Sequence, residues 1–293
     1  MITDPDLYTL TLTCRPDQIE AVEALFEDDA LAISILSPPR CAAAQVEALL
    51  DGEPAPAWVE ERLHGMDNAP SYTIAPVGNL DWLKKVAQDF PPLPIARWTV
   101  YGAAHRDKIT DFSAALQIDA TSAFGTGEHP TTRGCLEALD RLLKDSTIPQ
   151  PHSMLDMGCG SGILAMAFAK TVDSGIALGV DMDELSVTIA NENAAINGVA
   201  ERTTFIVGMG YAPPLVAQGA PYDLIMANIF ADPLCAMAGD LKNHLKVGGH
   251  AILSGLLNTQ ADAVIAAHLA QGLTLTDHQK LGEWSVLVLT SLS

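Results

Sequence analysis

The chain has 293 residues, 48% of them hydrophobic, and a formal net charge of −20, which allows two domains with a substantial core and offers no basic footprint for nucleic acid. No apolar run reaches the ~18 residues that a membrane-spanning helix needs, and the opening MITDPDLYTLTL reads as acidic and strand-like rather than as a targeting peptide, so a cytoplasmic protein is expected. The five cysteines form no CxxC pair, which sets aside zinc-ribbon and thioredoxin chemistry in favour of free, buried thiols.

Charge is unevenly spread. Residues 1–77 hold 14 Asp and Glu against 3 Lys and Arg, a net of −11, and the rest holds 22 against 13, a net of −9. The first quarter is therefore the expected dock for a positively charged partner. Within it, DLYTLTLTC (6–14) alternates as a strand, and RPDQIEAVEALFEDD carries Ile19, Val22, Leu25 and Phe26 at helical spacing. ALAISILS (30–37) is a strand, QVEALLDG a strand or one short helix, APAWVEERLHG (55–65) a helix and SYTIAPVG (71–78) a strand. That order, β-α-β-β-α-β, predicts a ferredoxin-like α+β domain over 1–77. LDWLKKVAQDF (80–90) predicts a linking helix within 78–92, stopped by PPLP, with the second domain over 93–293.

From residue 152 strands and helices alternate. HSMLDM, SGIALGVDM, TTFIVGM, YDLIMANIF and HAILSGLL read as strands; SGILAMAFAK, ELSVTIANENAAING, PLCAMAGDLKNHL and 259–271 read as helices. Such alternation predicts a doubly wound, parallel α/β sheet with Rossmann-like crossovers. LTLTDHQK and EWSVLVLTSL lie too close for another crossover and predict a terminal antiparallel hairpin.

In LDMGCGSGIL, Gly158, Gly160 and Gly162 follow a strand and open a helix, the context that makes such a pattern a nucleotide-binding turn. Asp181 ends the next strand, 19 residues after Gly162, where a carboxylate accepts ribose hydroxyls. Gly160, Gly162 and Ala165 also satisfy G-x-G-x-x-A, so a nicotinamide oxidoreductase is a competing reading. Asp156, two residues before the first glycine, argues against it, because a carboxylate there repels a pyrophosphate and favours a cationic, phosphate-free nucleoside. S-adenosylmethionine fits that description.

The acid-first glycine pattern resembles motif I of class I methyltransferases, whose seven-stranded sheet ends in an antiparallel hairpin. AFGTGEHPTT (123–132), LDMGCGSGILA, GVDMD, ANIF (227–230) and the late GEW are together similar to the PrmA family, which methylates lysines and the N-terminal amine of large-subunit ribosomal protein L-eleven. The resemblance implies a cofactor contact from Thr132 and a basic ribosomal protein docked on the acidic front domain. It also implies that Asn228 orients the amine and holds the cofactor, as an asparagine carbonyl can accept a hydrogen bond but cannot act as a base. The sequence departs from the family pattern at Glu128, where threonine is common, and at Glu184, where proline is usual.

AFGTGEHPTT lacks the lysine of a phosphate loop and the ligand spacing of a metal site, so it reads as a glycine-hinged loop running into a helix from Pro130, and the resemblance implies that it lies as a lid over the cofactor. His129 and Glu128 are general-base candidates by position. Methylation of an electron-transfer flavoprotein subunit and a non-catalytic cofactor-binding role are the remaining alternatives.

Overall fold

A computed structural model describes residues 7–26, 29–36, 44–66, 68–76, 91–118 and 129–292. The helix expected over 80–90 and the glycine loop 123–128, with Glu128, lie outside the described residues. The chain divides into two compact units, Met1–Lys85 and Val86–Ser293.

The first unit runs β1 (Leu7–Cys14), a 3-10 turn (Pro16–Gln18) into the helix Ile19–Ala24, β2 (Ala32–Leu36), β3 (Ala44–Asp51), the helix Pro56–Leu63 and β4 (Ser71–Pro76). The sheet order β2-β3-β1-β4 is antiparallel throughout, the ferredoxin-like arrangement. Residues 44–51, read as strand or helix, form a strand, since Ala44, Val46, Ala48 and Leu50 are buried at a period of two. They meet Leu10 and Leu12 from β1 and Val22, Phe26, Val59 and Leu63 from the helical segments.

The second unit opens with a three-stranded sheet that the sequence pattern does not reveal: β5 (Leu93–Ile95), β6 (Trp98–Tyr101) and β7 (Ala115–Gln117). Strands of three or four residues are too short to display a period. Trp98 is buried and its indole N–H donates to Thr171 Oγ1 (3.2 Å). Asn197 exchanges two hydrogen bonds with the backbone of Gln117, which ties this small sheet to the C-terminal end of the helix Glu184–Ile196.

The main sheet comprises β8 (Ser153–Met157), β9 (Ile176–Asp181), β10 (Thr203–Val207), β11 (Tyr222–Asn228), β12 (Leu245–Leu257), β13 (Leu273–Leu281) and β14 (Trp284–Ser291). Their order is β10-β9-β8-β11-β12-β14-β13, with β8 to β12 parallel and β14 antiparallel to both its neighbours. The predicted terminal hairpin is thus β13–β14, turning at Gly282 with φ +59°. Successive residues of the central strands feed opposite cores: Met154, Leu224 and Met226 face one side, Leu155, Ile225 and Ala227 the other. Burial on both faces explains why these strands read as continuous apolar runs.

Two details differ from expectation. The single helix read at 233–245 is two, Ala231–Ala236 and Ala238–His244, meeting at Met237, whose ψ of 7° leaves the helical range. A helix unmarked by the sequence, Pro214–Gly219, joins β10 to β11. It is only six residues long, too short for an amphipathic period.

Candidate functional site

The sheet order reverses where β8 lies between β9 and β11, and open α/β sheets bind ligands outside the carboxyl ends of strands at such a point. A cavity of about 930 Å³ sits there, lined by Gly158 and Gly160 after β8, Asp181 ending β9, Gly208 after β10 and Asn228 ending β11. Its size is that of a small-molecule site.

The turn after β8 needs its glycines. Gly158, Gly160 and Gly162 have φ of +71°, +50° and +79°, a left-handed range that other residues adopt only with strain. At Gly158 a Cβ would come 2.3 Å from the Ile229 side chain, and at Gly255 one would come 2.3 Å from the Ile229 carbonyl oxygen. Ile229 is therefore clamped from both sides, which fixes the strand end carrying Asn228. Gly162 caps the helix Ile163–Thr171 and faces the Phe205 ring, where a Cβ would approach to 2.8 Å.

Asp181 reaches back to the glycine turn: its Oδ2 accepts from the Gly160 N–H (2.9 Å) and its Oδ1 from the Asp183 N–H (3.1 Å). The two bonds set the carboxylate at the cavity wall with acceptor capacity remaining on each oxygen. Asp183, the next acid, caps the helix Glu184–Ile196 through the N–H groups of Leu185 and Ser186.

On the other side, helix Pro130–Lys144 brings Thr132 to the cavity, and the Asn228 amide donates to Thr132 Oγ1 (3.2 Å). This bond assigns the amide's orientation and leaves Oδ1 at the buried wall with no hydrogen-bond partner among the described residues. An orphaned buried acceptor costs about 1–3 kcal/mol, so it is suited to a ligand N–H. His129 caps the same helix, its Nδ1 accepting from the Thr131 N–H (3.4 Å) and lying 2.7 Å from Thr131 Oγ1. Its ring meets Trp284 edge-on, with centroids 4.7 Å apart.

Asp156 lies deep in the fold. It has no accessible surface and stands behind the glycine turn rather than on the cavity wall. Its Oδ2 accepts from the Ala165 N–H (3.1 Å), and Oδ1 has no partner among the described residues. Burial pushes its pKa up to about 7, the Ala165 N–H opposing and Asp181 adding to the rise. Sequence analysis set Asp156 beside the glycine turn as a charge that disfavours a pyrophosphate, and the structure adds that the acid is buried behind that turn.

Sequence reasoning assigned no role to the apolar members of the wall. Met182, Met209 and Phe230 line the cavity while remaining 72%, 72% and 79% exposed, and Trp284 lines it from the start of β14. Their only signal was adjacency: Met182 follows Asp181, Phe230 ends ANIF and Trp284 ends GEW. Among the described residues, no group of three or more His, Cys, Asp or Glu could hold a metal, and no helix is long and apolar enough to cross a membrane.

Residues 11–291 match the family model described as ribosomal protein L11 methyltransferase (PrmA). A ribosomal protein L11 methyltransferase of Bradyrhizobium diazoefficiens is 39% identical over 272 residues, covering 91% of this chain and 90% of that protein. One of Brucella suis is 43% identical over 202 residues, 69% of this chain and 68% of that one. Among solved structures, a ribosomal protein L11 methylase from Lactobacillus delbrueckii subsp. bulgaricus aligns with TM-score 0.60 and 25% identity, over 69% of this chain and 99% of that chain.

Proposed function

The chain belongs to the ribosomal protein L11 methyltransferase family, and on that premise we propose how its residues serve the reaction. The enzyme transfers methyl groups from S-adenosylmethionine to amines of ribosomal protein L11. Neither electron-transfer flavoprotein methylation nor nicotinamide redox chemistry finds support in its relatives.

The residues present fit the methyl donor. Gly158 and Gly160 line the cavity with no side chain of their own, Asp181 offers acceptors for a ribose diol, and the Asn228 Oδ1, without a partner among the described residues, offers one to an N–H. Bound there, S-adenosylmethionine supplies a methyl already activated by its sulfonium. Gly158, Gly160 and Gly162 shape the turn that admits it, Asp181 holds the ribose, and Thr132 fixes the Asn228 amide so that Oδ1 faces the amine or the cofactor.

The protein's remaining task is to align a neutral amine. A lysine of pKa near 10.4 is neutral in about one molecule in 2,500 at pH 7. Desolvation within an apolar wall of Met182, Phe230 and Trp284 favours that form. Alignment then supplies much of the acceleration, and the amine proton leaves to water.

The acidic front domain, residues 1–77, docks the basic ribosomal protein in the cytoplasm, with residues 78–92 linking it to the catalytic domain over 93–293. Two of its cations are already answered locally, Arg15 by Asp17 and Arg62 by Asp29, while Asp51, Glu53, Glu60 and Glu61 are exposed.

The observation that carries the reading is Asp181 bonded to the Gly160 N–H at the cavity wall. Calorimetry on Asp181→Ala tests it. Affinity for S-adenosylmethionine should fall by at least about tenfold, as expected for lost bonds to a charged acceptor. Unchanged affinity would remove the assignment.

A further inference from the structure

We infer that Asp156 is the group by which the site tells the cationic methyl donor from its uncharged thioether product, releasing a proton to solvent when the donor binds and regaining one when the product replaces it. The inference rests on the methyl-transfer reading and adds to it a means of favouring donor over product.

The geometry starts from isolation. Asp156 is wholly buried, and among the described residues its Oδ2 is satisfied by one backbone N–H, its Oδ1 by nothing, and no cation pairs with it. From the helix Pro130–Lys144 it faces Cys135, from the glycine turn Cys159, and from the end of β9 Asp181. Its partners across the sheet are Gly179 on β9 and Met226 on β11, neither of which titrates. Burial raises both thiols far above their ordinary range, so they stay neutral and do not compete for the proton. Asp181, bonded to two N–H groups, adds only negative charge.

A carboxyl so placed is poised between its two forms near neutral pH, as its pKa of about 7 reflects. Gly158 and Gly160, two and four residues further on, form the cavity wall, so only a glycine turn separates the acid from the ligand. That turn carries only the small side chains of Cys159 and Ser161, so it screens little. S-adenosylmethionine brings a sulfonium as well as an ammonium, and the product keeps only the ammonium. The extra charge favours ionised Asp156, and by linkage ionised Asp156 favours the extra charge.

The sign follows directly. At acid pH the carboxyl is neutral with either ligand, and the preference for donor over product is smallest. As pH rises through the pKa of Asp156 with donor bound and then its pKa with product bound, donor affinity climbs relative to product affinity, and the preference then levels off. Each pKa unit by which the donor lowers Asp156 below its value with product amounts to about tenfold in that preference. If the acid only caps the helix Ile163–Thr171 through Ala165, the preference is independent of pH.

Titration calorimetry on the full chain decides between these, with S-adenosylmethionine and S-adenosylhomocysteine as the ligands. It is run at about pH 6 and about pH 8.5, in buffer pairs of different ionisation enthalpy that count protons. The wild type should release more protons with donor than with product near neutrality, and its donor-to-product affinity ratio should rise several-fold with pH. In Asp156→Asn the ratio should be flat. Tight binding of both ligands with a flat ratio in the wild type, or a slope that persists in Asp156→Asn, overturns the inference alone. Failure of either ligand to bind the wild type removes the methyl-transfer reading, and this inference with it.

Discussion

At the scale of single residues, the Asn228–Thr132 pair concentrates the account. The threonine hydroxyl takes the amide N–H, and the carbonyl has no partner among the described residues, which suits it to the role proposed for it. In the proposed role, Asn228→Ala removes an acceptor used at the moment of reaction. Turnover should therefore fall by about tenfold to a hundredfold, the range for one hydrogen bond at a buried site. Steady-state kinetics with ribosomal protein L11 measure it, and an unaltered kcat would reject the role. Much of this wall could be read beforehand because its parts recur as short motifs: Gly158, Gly160, Asp181, Thr132 and Asn228 all line or shape the cavity. Sequence gives the position of Asp156 along a strand end but not its depth, and the structure finds it wholly buried.

At the scale of elements, Asp223 shows how the sheet is pinned below the site. Burial opposes its ionisation, yet the Lys246 ammonium (2.7 Å) and the N–H groups of His152 (2.9 Å) and Ser153 (3.1 Å) outweigh that and hold its pKa below the usual value. The carboxylate thus joins β8, β11 and β12 at the ends away from the cavity. Because its folded pKa is depressed, its stabilisation is full above the ordinary carboxylate pKa and is lost as pH falls through the folded value. Asp223→Asn should cost about 1–3 kcal/mol near pH 7 and little near pH 2. Urea unfolding of both proteins at the two pH values checks this, and a pH-independent difference would contradict it. The elements that escaped sequence reading share one property. The strands β5 to β7 and the helix Pro214–Gly219 span three to six residues each, fewer than their own periods require for recognition.

At the scale of the whole molecule, alternation of strand and helix was legible from residue 152 onward because right-handed crossovers leave few ways to arrange parallel strands. The hairpin at the end was legible because the spacing forbids another crossover. The front unit was legible as a topology, since β1 and β3 alternate cleanly, with Leu10 and Leu12 inside on one and Val46 and Ala48 on the other. Its task was not written in a motif, only in net charge. A fragment starting near residue 93 should keep ordinary affinity for S-adenosylmethionine by calorimetry while losing most methylation of ribosomal protein L11. Full activity from the fragment would refute docking on the front domain.

The central claim is that the crevice between β8 and β11 delivers a methyl group to a protein amine. Mass spectrometry of ribosomal proteins incubated with the full-length enzyme and isotopically labelled S-adenosylmethionine tests it most directly. Labelled methyl groups on amine nitrogens of ribosomal protein L11, absent with Asp181→Ala, are the predicted result. Label absent from that protein, or found on a nucleic acid instead, would contradict it.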